Sequence, residues 1–256
     1  MKMVLTDTHT HLYLEEFSED LNEVVNRAFT KKVTRLFLPS ICYKHYKSML
    51  NVKNKFPDNI FLMSGLHPCY VNENYEFELD QVKMFIDKND IVAVGEIGID
   101  LHWKKDNLDL QINIFKEQID IANQYNLPVV IHCRESLTEI LKVLKNKNAN
   151  CGGVFHCFTG NIEDAKQIID LGFKLGIGGV VTFKNGKIDK FLNQIDIKNI
   201  VLETDSPYLA PTPHRGKRNE SSFIDLICKK ISEIYQLSYA EVAQITTQNS
   251  IEIFKI

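Results

Sequence analysis

The segment Leu108-Asp-Leu-Gln-Ile-Asn-Ile-Phe-Lys-Glu-Gln-Ile-Asp-Ile-Ala-Asn-Gln-Tyr-Asn-Leu-Pro-Val-Val-Ile-His132 contains two different periods. Leu108, Ile112, Phe115, Ile119 and Ala122 fall three or four apart, which is one face of an α-helix running from Leu108 to Gln124. The apolar run that follows, Val129 to Ile131, is too short for a helix and ends in a histidine. A helix feeding a short strand is one unit of a parallel sheet, and comparable runs recur along the chain: Met3 to Thr6, Thr34 to Leu38, Ile60 to Ser64, Ile91 to Gly95, Gly153 to Phe155, Phe173 to Ile177 and Ile200 to Leu202. These strands are short, apolar on both faces and evenly spaced, with no linker between them. The expected fold is therefore α/β, a single (β/α)8 barrel spanning residues 1–256, with a doubly wound open sheet as the alternative. An additional C-terminal helix, opened by the capping-box pattern Ser238-x-x-Glu241 and carried by Val242, Ile245 and Ile253, is expected to pack on the outside as a purely structural element.

Composition agrees with one domain of this kind. The chain has 256 residues, 44% hydrophobic and 25% charged, which excludes a disordered, collagenous or coiled-coil protein. No apolar run approaches the ~18 residues of a membrane span. The opening Met1-Lys-Met-Val-Leu-Thr-Asp7 has no apolar signal region, so a cytoplasmic location is expected. The six cysteines include no C-x-x-C pair and read as reduced thiols. A net charge of -3 gives no bulk attraction to nucleic acid, so any polyanion must be held by a local patch.

In a parallel barrel the site lies at the C-terminal ends of the strands. Run one ends in Asp7-Thr-His-Thr-His11, run three in His67, run four in Glu96, run five in His132, run six in His156 and run eight in Glu203-Thr-Asp205. Of the eight histidines only His45 neither ends nor closely follows a run. His9 and His11 are two apart and share a face of an extended chain, as do Glu203 and Asp205, and β-strands one and eight are neighbours once a barrel closes. The imidazole pair and the acid pair therefore meet. Such a mixed set suits Zn, Mn or Fe, and Mg with fewer nitrogen ligands, with one or two ions for four to six ligands. Cys133 and Cys157 directly follow two of the histidines, and alternation turns their sulfurs toward the helices as small core residues. Gly176, Gly178 and Gly179 end run seven and are expected to leave room for substrate, or to mark a bulge.

The motifs Asp7-Thr-His-Thr-His11, Gly65-Leu-His-Pro68, Gly95-Glu-Ile-Gly-Ile-Asp100, Val130-Ile-His-Cys-Arg134, Gly153-Val-Phe-His-Cys-Phe-Thr-Gly160 and Glu203-Thr-Asp-Ser-Pro-Tyr-Leu-Ala-Pro211, followed by His214-Arg-Gly-Lys-Arg-Asn-Glu220, resemble the TatD family of metal-dependent deoxyribonucleases in order and over nearly the whole chain. The resemblance implies an amidohydrolase-like TIM barrel with two divalent cations, Mg, Mn or Zn. His9, His11, Glu96 and Asp205 would hold one and Glu96, His132 and His156 the other, with Glu96 bridging. It implies 3′-to-5′ exonuclease action on DNA, with RNA or tRNA ends as further substrates. Three positions depart from the family pattern, Leu101, Ser136 and Ser221. Leu101 removes one aromatic contact at the mouth, and none of the three is a ligand.

Asp205 is expected to orient and deprotonate the attacking water, with Glu203 as a supporting acid and His67 as a contact to substrate or to the ligands. The rim is basic: Lys104, Lys105, Arg134, Lys184, Arg215, Lys217 and Arg218, of which Arg134, Arg215, Lys217 and Arg218 are expected to bind substrate phosphates. Trp103, Phe158, Phe183 and Tyr208 lie among them and could stack bases or support the loops. The competing class is an amidohydrolase or a D-aminoacyl-tRNA deacylase on the same barrel. Amidohydrolases often bridge their ions with a carboxylated lysine at strand four, where this chain has Glu96. A monomer is expected.

Overall fold

A computed structural model describes residues 4–147 and 151–256. Eight strands, β1 (Leu5–Asp7), β2 (Val33–Leu38), β3 (Ile60–Ser64), β4 (Ile91–Asp100), β5 (Val129–Arg134), β6 (Gly153–Phe155), β7 (Phe173–Ile177) and β8 (Ile200–Leu202), pair in parallel and in sequential order. The expected start of the first strand at Met3 lies outside the described residues. No ladder of regular length joins β1 to β8. Single rungs past both strand ends close the barrel instead: Thr8 N–H donates to Leu202 O at 3.0 Å, Asp205 N–H to His9 O at 2.9 Å and His11 N–H to Ser206 O at 2.8 Å.

Seven of the eight strands are followed by a helix: α1 (Leu21–Thr30), α2 (Tyr46–Lys55), α3 (Tyr75–Lys88), α4 (Leu108–Tyr125), α5 (Leu137–Lys147), α6 (Ile162–Asp170) and, after β8, α7 (Ile224–Tyr235). The crossover from β7 to β8 is made of short 3-10 turns between Gly179 and Asn199, so one unit of the expected repeat lacks its α-helix. None of the described helices is long and apolar enough to cross a membrane. In α4 the buried stripe is Ile114, Phe115, Gln118, Ile119, Ile121 and Ala122, offset from the anticipated one because Gln111 and Gln118 are buried too. Their amides serve the loops: Gln118 accepts from Leu66 N–H and donates to Leu66 O at 2.7 and 3.0 Å. Strand β4 runs five residues past the expected end at Gly95. A register irregularity between Gly95 and Ile97 lets it pass Glu96 and resume pairing with β5 as far as Asp100.

Apolar residues form two packed regions. The larger lies between sheet and helices. The smaller fills the N-terminal half of the barrel interior with Phe37, Met63, Ala93, Val130, Val154 and Val201, and it includes Phe254 from the last helix, α8 (Tyr239–Phe254). The rings of Phe37 and Phe254 lie 4.5 Å apart between centroids. The capping box at Ser238 forms as expected, with Glu241 N–H donating to Ser238 Oγ at 3.2 Å. The helix it starts does not simply rest on the outside, because its final turn plugs the N-terminal end of the barrel. Burial of the Phe254 ring, 3% exposed, is what directs it there.

Candidate metal centre

At the opposite end of the barrel Glu96, 2% exposed, stands at the middle of the imidazoles. Its two carboxylate oxygens face different partners. Oε2 lies 3.2 Å from His9 Nε2 and 3.8 Å from His11 Nε2, and those two nitrogens lie 3.8 and 3.4 Å from Asp205 Oδ1. Oε1 lies 2.7 Å from His156 Nε2, 2.9 Å from His132 Nδ1 and 3.3 Å from His67 Nε2. All six expected ligands, His9, His11, Glu96, His132, His156 and Asp205, thus meet in one cluster. His67, expected at the substrate or behind the ligands, joins Glu96 and His132 as a potential ligand group itself.

Side chains behind the cluster fix which nitrogen faces inward. Tyr13 Oη donates to Pro39 O at 2.7 Å and so can only accept at His11 Nδ1, 2.8 Å away, which leaves His11 Nε2 as a bare lone pair toward Glu96 and Asp205. Asp100 Oδ2 accepts from His132 Nε2 at 2.9 Å and turns its Nδ1 toward Glu96. Glu203 is fully buried, accepts from Cys157 N–H at 2.5 Å and sits 3.7 Å from His156 Nδ1, so it works beneath the ligands rather than in the open cavity. Asp7 lies at the β1–β8 junction, where its carboxylate accepts from Thr204 N–H and Oγ1 at 2.9 and 2.7 Å. Asp100 and Tyr13 escaped sequence reasoning. For Asp100 there was a signal, since four residues beyond Glu96 on an extended strand is the same face.

The electrostatics divide the cluster: the carboxylates are held ionised and His9 neutral, whereas against burial the neighbouring carboxylates raise His132 and His156. Burial opposes ionisation of Glu96, but His156, His67, His9 and a hydrogen bond with His132 outweigh it and hold its carboxyl well below the usual range. Asp205 is likewise held low, burial being offset by its hydrogen bond with His11 and by nearby imidazoles. Burial lowers His9, so its ring favours the neutral form that ligates metals. Burial pushes Asp7 up to about 7, against hydrogen bonds with Ser221 and Thr204. Both ring nitrogens of His9, Nδ1 of His156 and Oε2 of Glu203 are buried with no aligned hydrogen-bond partner. Orphaned polar atoms of this kind cost free energy unless something partners them, and His9 Nε2, the one that faces Glu96 and Asp205, is a nitrogen donor of the kind a divalent cation takes. The residues fit the group.

A cavity of about 450 Å³ opens over the cluster, lined among others by His11, His67, Glu96, His132, His156 and Asp205. Arg134, Trp103 and Tyr208 line it as well, whereas Phe158 is buried. Arg215 lies 3.5 Å over the Phe183 ring and Lys217 is exposed, both away from the cavity lining. Arg218 departs from expectation. Its guanidinium is paired with Asp20 at 2.6 and 2.8 Å, Asn219 Nδ2 donates to Thr204 O and Tyr208 O at 2.8 and 2.6 Å, and Glu220 accepts from Arg27 at 2.6 Å. Arg218 and Glu220 clasp the loop after β8 to α1 and its N-cap, and Asn219 between them ties the loop to itself.

The glycines after β7 also differ from expectation. A Cβ on Gly176 would come 2.2 Å from Glu203 Oε2, and one on Gly179 would come 2.2 Å from Leu209 O, so the space they leave is filled by the protein and not by substrate. Cys133 packs against the outer core as anticipated. Cys157 follows the last residue of β6 by two and has φ 48°, so strand alternation does not govern it. Its backbone N–H donates to Glu203, and burial together with the charges of Asp205, Glu203 and Glu96 pushes its thiol well above the usual value.

A parallel (β/α)8 barrel whose strand ends bring imidazoles and carboxylates around one bridging glutamate defines the class: a metal-dependent hydrolase. Residues 6–255 match the family model described as TatD related DNase, and the chain belongs to that family. YabD of Bacillus subtilis (strain 168), named an uncharacterized metal-dependent hydrolase, is 36% identical over 99% of this chain and 100% of its own length. YcfH of Escherichia coli (strain K12), named likewise, is 31% identical over 99% of this chain and 97% of YcfH. Among solved structures, YjjV, a TatD homologue from Escherichia coli K12, superposes with a TM-score of 0.94 at 26% identity over 100% of both chains.

Proposed function

We propose that this chain hydrolyses phosphodiester bonds in DNA as a metal-dependent deoxyribonuclease with two divalent cations, acting as a 3′-to-5′ exonuclease. The observation that carries the reading is the division of the Glu96 carboxylate, Oε2 toward His9, His11 and Asp205 and Oε1 toward His132, His156 and His67. One glutamate serving two donor sets could be shared by a pair of cations, with Mn, Zn or Mg as the candidate metal. When bound, such cations supply Lewis acidity at the phosphoryl oxygens and a water acidified toward neutral pH.

The residues supply the rest. Asp205 keeps its carboxylate ionised and its side chain 14% exposed toward the cavity, so it can orient a water and accept its proton. His11 and His132 present single lone pairs because Tyr13 and Asp100 hold their other nitrogens. Glu203 and Gly176 keep His156 in place from below. Arg134, Arg215 and Lys217 are the cations available to substrate phosphates, while Arg218 contributes by fastening the loop that carries Arg215 and Lys217. The exonuclease direction and DNA preference follow the family resemblance.

The test is metal analysis of purified protein together with digestion of 5′-end-labelled single-stranded DNA. A ladder shortening from the 3′ end, abolished by chelator and restored by Mn²⁺, is expected. Intact DNA in the presence of every divalent metal, with small amides or aminoacyl-tRNA cleaved, would move the chain to the amidohydrolase or deacylase class.

A further inference from the structure

Among the described residues, seven large apolar side chains are exposed, and four of them, Tyr70, Trp103, Tyr208 and Leu209, line the cavity above Glu96. Exposed apolar surface gathered at one polar mouth marks a contact surface rather than chance. Trp103 is the most open of them at 66%, and it is the only tryptophan in the chain. It is not on a loose loop. Asp100 Oδ1 accepts the backbone N–H of Trp103 at 2.7 Å and of His102 at 2.9 Å, and Gln111 Nε2 from α4 donates to Lys104 O at 2.7 Å. The other oxygen of Asp100 is the one that holds His132. A single carboxylate therefore sets both the indole and an imidazole of the cluster. The Arg134 guanidinium lies 5.5 Å from the indole ring centroid and brings positive charge to the same place.

We infer that Trp103 is the stacking platform for a nucleobase next to the scissile phosphate, with Arg134 facing the adjoining phosphate. The inference rests on the phosphodiesterase reading above and goes further, naming the part of the substrate that is recognised. Base–aromatic stacking is tolerant of sequence because every base has a π-face, and it needs an unpaired base.

The lone tryptophan makes the platform directly visible by its fluorescence. In chelator-treated protein, an oligodeoxythymidylate should quench Trp103 emission, and an abasic deoxyribose-phosphate oligomer of equal length should not. Anisotropy of a labelled oligodeoxythymidylate should show Trp103→Ala binding about tenfold more weakly, the low end of what one lost stack costs, and Trp103→Phe binding within about threefold of the parent. Equal quenching by the two oligomers, or Trp103→Ala binding like the parent, overturns the inference. If the Mn²⁺-loaded parent still cleaves a small aryl phosphodiester in that event, the phosphodiesterase reading survives alone. Failure to cleave any phosphodiester overturns both.

Discussion

Val130 and His132, Val154 and His156, and Val201 and Glu203 are pairs two residues apart along or just past β5, β6 and β8. The lower member of each belongs to the apolar plug with Phe37 and Phe254, and the upper member belongs to the ionisable cluster around Glu96. One step of about 7 Å along a strand thus separates a hydrocarbon layer from a layer of buried imidazoles and carboxylates. The lower layer gains free energy by leaving water, while the upper one carries desolvation cost that only partners or cations offset. Substitutions in the two layers should accordingly be felt in different measurements.

Glu96→Ala should have the largest effect. It removes the group that both donor sets share, so kcat with saturating metal should fall by at least about a thousandfold, with the fold retained by circular dichroism. A loss of tenfold or less would mean that the upper layer does not depend on a shared carboxylate. Phe254→Ala addresses the opposite end. It should lower unfolding free energy by about 3 kcal/mol in urea titration, while kcat per folded molecule stays near the parent value. Parallel loss of stability and kcat would show that the two layers are not separable.

Asp100→Asn sharpens the comparison within the upper layer. It retains the shape of the side chain and weakens its hold on His132 Nε2, so metal affinity by isothermal titration should fall about ten- to a hundredfold. An unchanged affinity would show that His132 needs no support. Arg218→Ala should have the smallest effect, within about 1 kcal/mol, because its pair with Asp20 is partly exposed. The hydrogen bond from Arg218 holds the Asp20 carboxyl below the ordinary carboxylate value. A carboxylate of depressed pKa contributes stability above its unfolded value and loses it below. The difference in thermal midpoint between parent and variant should therefore be full at pH 7 and close as pH falls from about 4 downward. A constant gap would assign the effect to the contact of Arg218 with Phe17.

Most of the barrel was legible because its signal is local. Six strand starts, a seventh to within one residue, and the helix after β4 follow from apolar runs and spacing, and the side chains that gather around Glu96 follow from their position at strand ends. What escaped depends on contacts far apart in the chain. Nothing near Arg218 in sequence announces Asp20, and Gly176 reads as an open space until Glu203 is seen filling it. The plug by Phe254 was missed because a capping box reports where a helix starts, not where its last turn inserts. Tyr13 was missed because its role depends on Pro39 O and on the tautomer of His11.

The rungs that close the barrel have a consequence for the order of events during synthesis. Thr8 bonds to Leu202, and His9 and His11 to Asp205 and Ser206, across almost 200 residues of chain. At ribosomal rates of about 5–20 residues per second, the first strand leaves the ribosome roughly 10–40 seconds before its partner exists. During that interval the nascent chain gains His67, Glu96, His132 and His156, yet it lacks both Asp205 and the seam throughout. The cluster is therefore completed last, together with the seam, and a fragment released before residue 202 would carry His9 and His11 on an unpaired edge.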